Sequence, residues 1–348
     1  MSEYRDIWSY LKHTDKPVFL YGTGNGADKI LNEMSRLGIK ASEVFASDDF
    51  VRKNRIFRGF PVLSHSRVKE LYDDFIVLVS FGSNRPEVLE NILKLKSEHE
   101  LYSVDVPVYG DEIFNFRFYE KHTGEIELAE KLLADEFSKY VYRSIINFKL
   151  SGEIQFLLDC QTQRDEAYEN ILRLNGDEIY ADLGAFNGDT VFEFLSHVKS
   201  CRKIYAFEPD VKNYSKLVKN TKSVPNIQCF NLCISDRRGE IRFSSDGGRN
   251  GSESKTGVAV PCNSLDGVLN GSGCTFIKFD VEGFETPAIK GAAETIKKYK
   301  PKMLISCYHR SEDIFRIPLL VREIRDDYKI SIRHYPYIPA WDTQFYFT

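Results

Sequence analysis

Along this chain the spacing of apolar residues switches between a strand period and a helix period, and the switches mark its elements. Pro17 to Leu20 and Glu178 to Leu183 read as short apolar strands. Each runs into a glycine-rich turn and then into residues with helical spacing, through Leu37 and through Val198. A strand, a glycine-rich turn and a helix, met once in each half, predict parallel α/β sheets. Between about Asp111 and Asn175 the texture changes, because residues 127–137 and Ile154 to Leu172 carry helical spacing with no strong strand signal. The last third predicts strands at 202–207, 227–234, 240–243, 257–261, 275–280 and 302–307. Two more follow, Tyr328 to His334 and Asp342 to Phe347, separated by a segment holding Pro336 and Pro339. With no helix between them, these two are expected to pair antiparallel.

The pattern divides the chain into three parts. Residues 1–115 form a smaller Rossmann-like α/β domain, read as accessory and separable; residues 116–175 form a helical connector; residues 176–348 form a second α/β domain. A chain of 348 residues, 42% hydrophobic and 28% charged, has ordinary globular composition and enough length for two cores. The net charge of −4 argues against a protein that coats nucleic acid or an anionic membrane, so no nucleic-acid partner is expected. The longest purely apolar run, Phe75 to Val79, is strand-sized, so no membrane span is expected. The first residues lack the apolar core of a signal peptide. Seven cysteines with no Cys-x-x-Cys pair point to a reducing, cytoplasmic setting without a disulfide framework or zinc ribbon. A homo-oligomer is compatible with all of this.

Candidate chemistry concentrates in the second glycine-rich turn, Asp182-Leu183-Gly184-Ala185-Phe186-Asn187-Gly188-Asp189-Thr190. Gly184 and Gly188 stand where a backbone comes close to a ligand, and Glu208, followed by Pro209, ends the next strand. A carboxylate at that tip suits the two hydroxyls of a ribose at the carboxyl edge of a parallel sheet. Asp182, just inside the turn, would repel a pyrophosphate but complements the ammonium of an amino-acid moiety. A nucleoside cofactor with an amino acid and no phosphate is S-adenosyl-L-methionine. Asn231, at the end of the strand Asn226 to Asn231, is expected at the adenine edge.

The ordered series Asp-Leu-Gly-Ala-Phe-Asn-Gly-Asp-Thr (182–190), Ala-Phe-Glu-Pro-Asp (206–210), Ile-Ser-Asp-Arg-Arg-Gly (234–239), Ser-Leu-Asp (264–266) and Ile-Lys-Phe-Asp-Val-Glu-Gly-Phe-Glu (277–285) resembles the FkbM family of S-adenosylmethionine-dependent O-methyltransferases. The resemblance covers about residues 178–348. It implies a class I methyltransferase fold, a seven-stranded Rossmann-like sheet ending in an antiparallel hairpin. It also implies a hydroxyl acceptor, on a small molecule or a glycan, most naturally a sugar in a polysaccharide or glycosylated metabolite. On the residues quoted, it places the cofactor at Asp182, Gly184, Ala185, Gly188, Asp189, Thr190, Glu208 and Pro209.

A sugar hydroxyl is a poor nucleophile near neutral pH, so a base, a divalent metal or both would help it attack. Asp280 and Glu282 sit at the tip of the strand beginning at Phe276, and His309 follows the strand Met303 to Cys307, so all three are expected at one edge. Asp280 and Glu282, neighbouring acids at a strand end, are candidates for base or metal-ligand duty, and His309 is a further candidate base because imidazole titrates near neutrality. The bland alternatives are a helix cap at Asp280, a solvated Glu282 and a structural His309. His334 reads as structural, and His13, His65, His99, His122 and His197 as surface or loop residues.

The first turn offers a competing reading. Gly22, Gly24 and Ala27 fit the dinucleotide spacing, and Asp48 and Asp49 end the next strand. Arg52, Lys53, Arg55 and Arg58 then either meet a phosphate or form a solvated loop. The alternative function is therefore an NAD-dependent oxidoreductase or a sugar-nucleotide-binding protein. The segment also resembles short Rossmann-like domains that precede sugar-modifying enzymes.

Overall fold

Both glycine-rich turns lie at the ends of central strands in two separate, mostly parallel sheets of the computed structural model, which describes residues 4–52, 55–244, 252–253 and 258–348. The first sheet has the strand order Ile56–Phe57, Phe60–Ser64, Glu43–Ala46, Val18–Tyr21, Ile76–Val79, Glu100–Tyr102. Its two central strands, Val18–Tyr21 and Ile76–Val79, are buried along their whole length, as continuous apolar runs covered on both faces should be.

The second sheet has seven strands: β1 (Ile179–Leu183), β2 (Lys203–Phe207), β3 (Ile227–Phe230), β4 (Phe276–Phe279), β5 (Lys302–Ser306), β6 (Ile330–His334) and β7 (Thr343–Phe347). Their order is β6-β7-β5-β4-β1-β2-β3. β7 runs antiparallel to both β5 and β6, the terminal pairing read from the sequence. The register sets Asp182 of β1 beside Lys278 of β4 and Ala206 of β2. The chain reverses order between β1 and β4, which opens a crevice at the carboxyl ends of the strands.

Two expected elements differ. The strand expected at 227–234 is broken: β3 ends at Phe230, and Cys233–Ile234 joins a separate four-stranded sheet with Val258–Asn263, Gly239–Ser244 and Ser252–Glu253. Gly257, at the start of the expected strand 257–261, lies outside the described residues. The helical stretch expected at 127–137 is likewise two helices, Phe116–Lys131 and Glu136–Ser151. Asp135 divides them by capping the second, its Oδ1 accepting from the Ser138 N–H at 2.8 Å.

The connecting helices cover what would otherwise be an open sheet edge. Ser138 Oγ accepts from the Ile332 N–H of β6 at 3.1 Å, and isolated bridges join Leu133 to Ile330 and Gln161 to His334. They also join the two sheets. One apolar cluster runs from Phe19, Phe75 and Val77 through Ile145 and Phe148 to Ile305 and Phe345. Lys149 pairs with Asp105 at 2.8 Å inside this join. Ser83 and Ile338 exchange two backbone hydrogen bonds, and the Tyr109 N–H donates to the His309 carbonyl at 2.8 Å. Among the described residues, no helix is long and apolar enough to cross a membrane.

Candidate active site

The turn after β1 is shaped by the strand beside it. Gly184 has φ +94°, and a Cβ there would lie 1.9 Å from the Asp280 carbonyl oxygen. The glycine is therefore required by the passage of this turn against the tip of β4, a packing reason the sequence reading had assigned to ligand approach. Gly188, at φ +93°, likewise passes close to Thr221. Ala185 is fully buried, and its N–H and that of Gly184 both donate to the Phe207 carbonyl. Asp189 opens the helix Asp189–Val198, and its Oδ1 accepts from the Thr190 N–H at 2.9 Å.

Glu208 reaches from the end of β2 across this turn. Its two carboxylate oxygens accept from the Phe186 and Asp210 N–H groups at 2.9 and 2.8 Å. Each oxygen keeps a second lone pair, so the carboxylate can still accept two ligand hydroxyls. Burial pushes its carboxyl up to about 7, against the pull of the two N–H donors. Asn231 Nδ2 donates to the Glu208 and Pro209 carbonyls, each at 2.9 Å, so its amide hydrogens fix the Glu208 segment and an adenine at this edge would meet the amide oxygen. The same clamp ends β3 where the sequence pattern would have continued it.

Asp182 is buried beneath the turn. Its Oδ2 accepts from Thr190 Oγ1 at 2.5 Å, while Oδ1 has no hydrogen-bond partner among the described residues and faces the Lys278 ammonium at 4.0 Å. Burial pushes this carboxyl up to about 6 although Lys278 opposes the shift. Lys278 also donates to Asp280 Oδ2 at 3.0 Å. Asp280 loses solvation there, but the Lys278 and His309 cations outweigh the loss and hold it down at about 2.

Across the crevice, Asp280, Glu282 and His309 converge. His309 is fully buried, with Nε2 3.3 Å from Glu282 and 3.7 Å from Asp280, and with Nδ1 2.8 Å from Glu285. Burial alone would neutralise the ring, but Glu285 and Glu282 outweigh it and hold the imidazole well above its usual range. These neighbouring carboxylates favour the protonated ring. A protonated imidazole cannot accept the hydroxyl proton, which favours the carboxylates among the three candidate bases. Glu282 is the better-placed acceptor. It is partly exposed, and burial raises its carboxyl above the ordinary range. Its backbone sits at φ +52°, in the left-handed region that side chains other than glycine rarely occupy. Such strain concentrates at functional positions.

Two residues of this cluster were missed. Lys278 interrupts an otherwise apolar strand and shares a face with Asp280, two positions on, which is a readable signal. Glu285, three residues after Glu282 in the first turn of the helix Glu285–Gly291, is fully buried and also accepts from the Val281 N–H at 3.0 Å. Asp280, Glu285 and His309 offer three ligand atoms within 4.8 Å of one another, so they are the residues able to hold a metal ion here. His334 is structural: buried, 3.0 Å from Thr343 Oγ1, and pushed down to about 3 by desolvation.

In the first turn, some of the groups a dinucleotide would use are engaged within the chain. Asp48 accepts from both the N–H and the hydroxyl of Ser66. Arg58 pairs with Asp28 at 2.5 Å, and a Cβ at Gly26 would lie 2.2 Å from the Ser80 carbonyl. Lys53 lies outside the described residues.

Residues 182–329 match the methyltransferase FkbM domain. Methyltransferase FkbM from Methylobacillus flagellatus KT is similar over 99% of this chain and 94% of its own, with 22% identity and a TM-score of 0.74. At that identity the likeness speaks to the fold. Aeropyrum pernix fibrillarin, solved with natively bound S-adenosyl-L-methionine, matches 50% of this chain and 67% of its own at 14% identity and TM-score 0.33. No curated protein matches the sequence. The seven-stranded sheet, its reversal beside β1 and the match across residues 182–329 agree, and that part of the chain is a methyltransferase FkbM domain.

Proposed function

We propose that this methyltransferase transfers a methyl group from S-adenosyl-L-methionine to a hydroxyl of a sugar, in a polysaccharide or glycosylated metabolite. The observation that carries the reading is the placement of two differently tuned carboxylate groups on either side of one crevice. Asp182 and Glu208 stand on the β1–β2 side, and Asp280 and Glu282 stand with His309 on the β4–β5 side. The unpartnered Asp182 Oδ1 suits an ammonium donor, and the free lone pairs of Glu208 suit ribose hydroxyls. The sugar acceptor rests on the family resemblance.

The donor supplies an electrophilic methyl carbon on a sulfonium. The chain must hold an acceptor oxygen in line with it and remove the hydroxyl proton. Glu282 takes that proton. The His309 cation, held by Glu285 from behind, stabilises the negative charge growing on the oxygen. Asp280 is kept ionised by Lys278 and serves to orient rather than to accept a proton. The seven cysteines, none paired and five of them buried, support a reducing compartment, the cytoplasm.

Glu208→Ala should weaken S-adenosylhomocysteine binding by about 1.5–3 kcal/mol, the range for hydrogen bonds to a charged group. Ribose hydroxyls favour the ionised carboxylate, so in the unmodified protein affinity should rise as pH increases through about 7, with proton release on binding below it. Calorimetry in buffers of different ionisation heat reads both effects. Equal affinity in wild type and Glu208→Ala would remove the ribose assignment.

A further inference from the structure

The sequence reading placed His65 and His99 on the surface or in loops, and the structure brings them together on the first sheet. His65 starts the helix His65–Leu71, and His99 ends the helix Pro86–Glu98. The His99 ring stacks on Phe75 at 4.2 Å and meets the His65 ring edge-on at 6.2 Å, while His65 stacks on Phe45. The His99 side chain is only 8% exposed. The two Nε2 atoms are buried and have no hydrogen-bond partner among the described residues. They lie 3.9 and 4.0 Å from one and the same oxygen, Glu98 Oε2.

Two orphaned imidazole nitrogens aimed at one carboxylate oxygen are poorly explained as packing. A neighbouring carboxylate would ordinarily draw protons onto both rings. Burial instead holds both below the usual histidine range, aided by Lys69, with Asp48, Asp74 and Lys94 as minor neighbours. Neutral imidazoles with free lone pairs are what a metal ligand requires. Ligand atoms held at about 2.1 Å by a tetrahedral zinc ion stand roughly 3.4 Å apart. The three atoms here all lie within 4.8 Å of one another, so closure needs side-chain movements below an ångström or so. We propose that His65, Glu98 and His99 bind a divalent, borderline-soft cation such as Zn²⁺, with water completing the coordination.

Nitrogen-rich donors select zinc and its transition-metal neighbours over calcium or magnesium. The competitor is Lys69, whose ammonium lies 3.1 Å from Glu98 Oε2; its side chain is half exposed and can swing into solvent. The bound ion would tie the start of one helix to the end of the other, so its effect is on stability of the first sheet and not on methyl transfer.

The full chain, stripped of metal, is titrated with Zn²⁺ against a chromophoric chelator and melted with and without Zn²⁺. Wild type should bind one equivalent that Glu98→Gln and His65→Asn lose or hold at least about tenfold more weakly. Lys69→Ala should bind more tightly than wild type, and Zn²⁺ should raise the Tm of wild type and Lys69→Ala but not of Glu98→Gln or His65→Asn. Glu285→Gln should retain the site, which separates it from the cluster around His309. Co²⁺ substitution should give a visible absorption band in wild type that His65→Asn lacks. The proposal is overturned if wild type takes up no more Zn²⁺ than Glu98→Gln and His65→Asn, or if Glu285→Gln abolishes the uptake instead.

Discussion

Glu282→Gln should lower methyl-transfer turnover by about 10²–10⁴-fold, the range for loss of a positioned general base, while S-adenosylhomocysteine affinity changes little. The substitution keeps shape and removes only the ability to take a proton. It is also the gentlest cut in the cluster, because Glu282 is partly exposed, whereas removing His309 would leave the fully buried Glu285 without its partner. The sign of the pH dependence follows from the same site. A base works only when ionised, and burial raises the Glu282 carboxyl while His309 opposes the rise, with Asp280 and Glu285 adding to it. Turnover should therefore fall as pH drops through this raised value, and Glu282→Gln should flatten that limb. If the carboxylates hold a divalent ion instead, chelator should abolish turnover in wild type and Asp280→Asn should do the same. A chelator-insensitive enzyme with unchanged turnover in Glu282→Gln would remove both roles and leave orientation as the source of rate.

The second large effect is on stability. Asp105→Ala should cost about 3–5 kcal/mol, the price of leaving a buried charge without its partner. Lys149 and Asp105 are 3% and 4% exposed, 2.8 Å apart, at the join between the first sheet and the connecting helices. Replacing both, as in Asp105→Leu with Lys149→Met, should recover most of the loss, because a well-packed apolar pair is often no worse than a buried ion pair. Urea unfolding of the three proteins reads this directly, and a single variant as stable as wild type would contradict it. The same pair bears on the separability expected from the sequence. A chain begun at residue 116 keeps every proposed cofactor contact, but it strands Lys149 and removes Tyr109, whose N–H holds the His309 carbonyl. It should unfold at lower urea than the full chain.

The alternation of strands and helices, the two glycine-rich turns and the terminal hairpin were legible because each follows from local period and turn chemistry. The carboxylates Asp182, Glu208, Asp280 and Glu282 were legible for a related reason: parallel sheets bring strand tips to one edge. What the sequence hid was pairing across elements. Nothing in the residues around Gly184 announces that its Cβ would strike the Asp280 carbonyl. Asn231 lies next to the expected adenine edge, yet its amide hydrogens are spent on two backbone carbonyls. The protonation of His309 depends on Glu285, which reaches it only because the turn at Glu282 and Gly283 reverses the chain. His65 and His99 are far apart in sequence, and only the packing of their helices on the first sheet joins them.

In the function proposed above, the crevice between β1 and β4 takes S-adenosyl-L-methionine and the first glycine-rich turn is not a dinucleotide site. Side-by-side calorimetric titration of the full chain with S-adenosylmethionine, S-adenosylhomocysteine and NAD tests it most directly. One equivalent of each S-adenosyl compound should bind, each competing with the other, with no heat from NAD. Saturable NAD binding with no response to either S-adenosyl compound would contradict it.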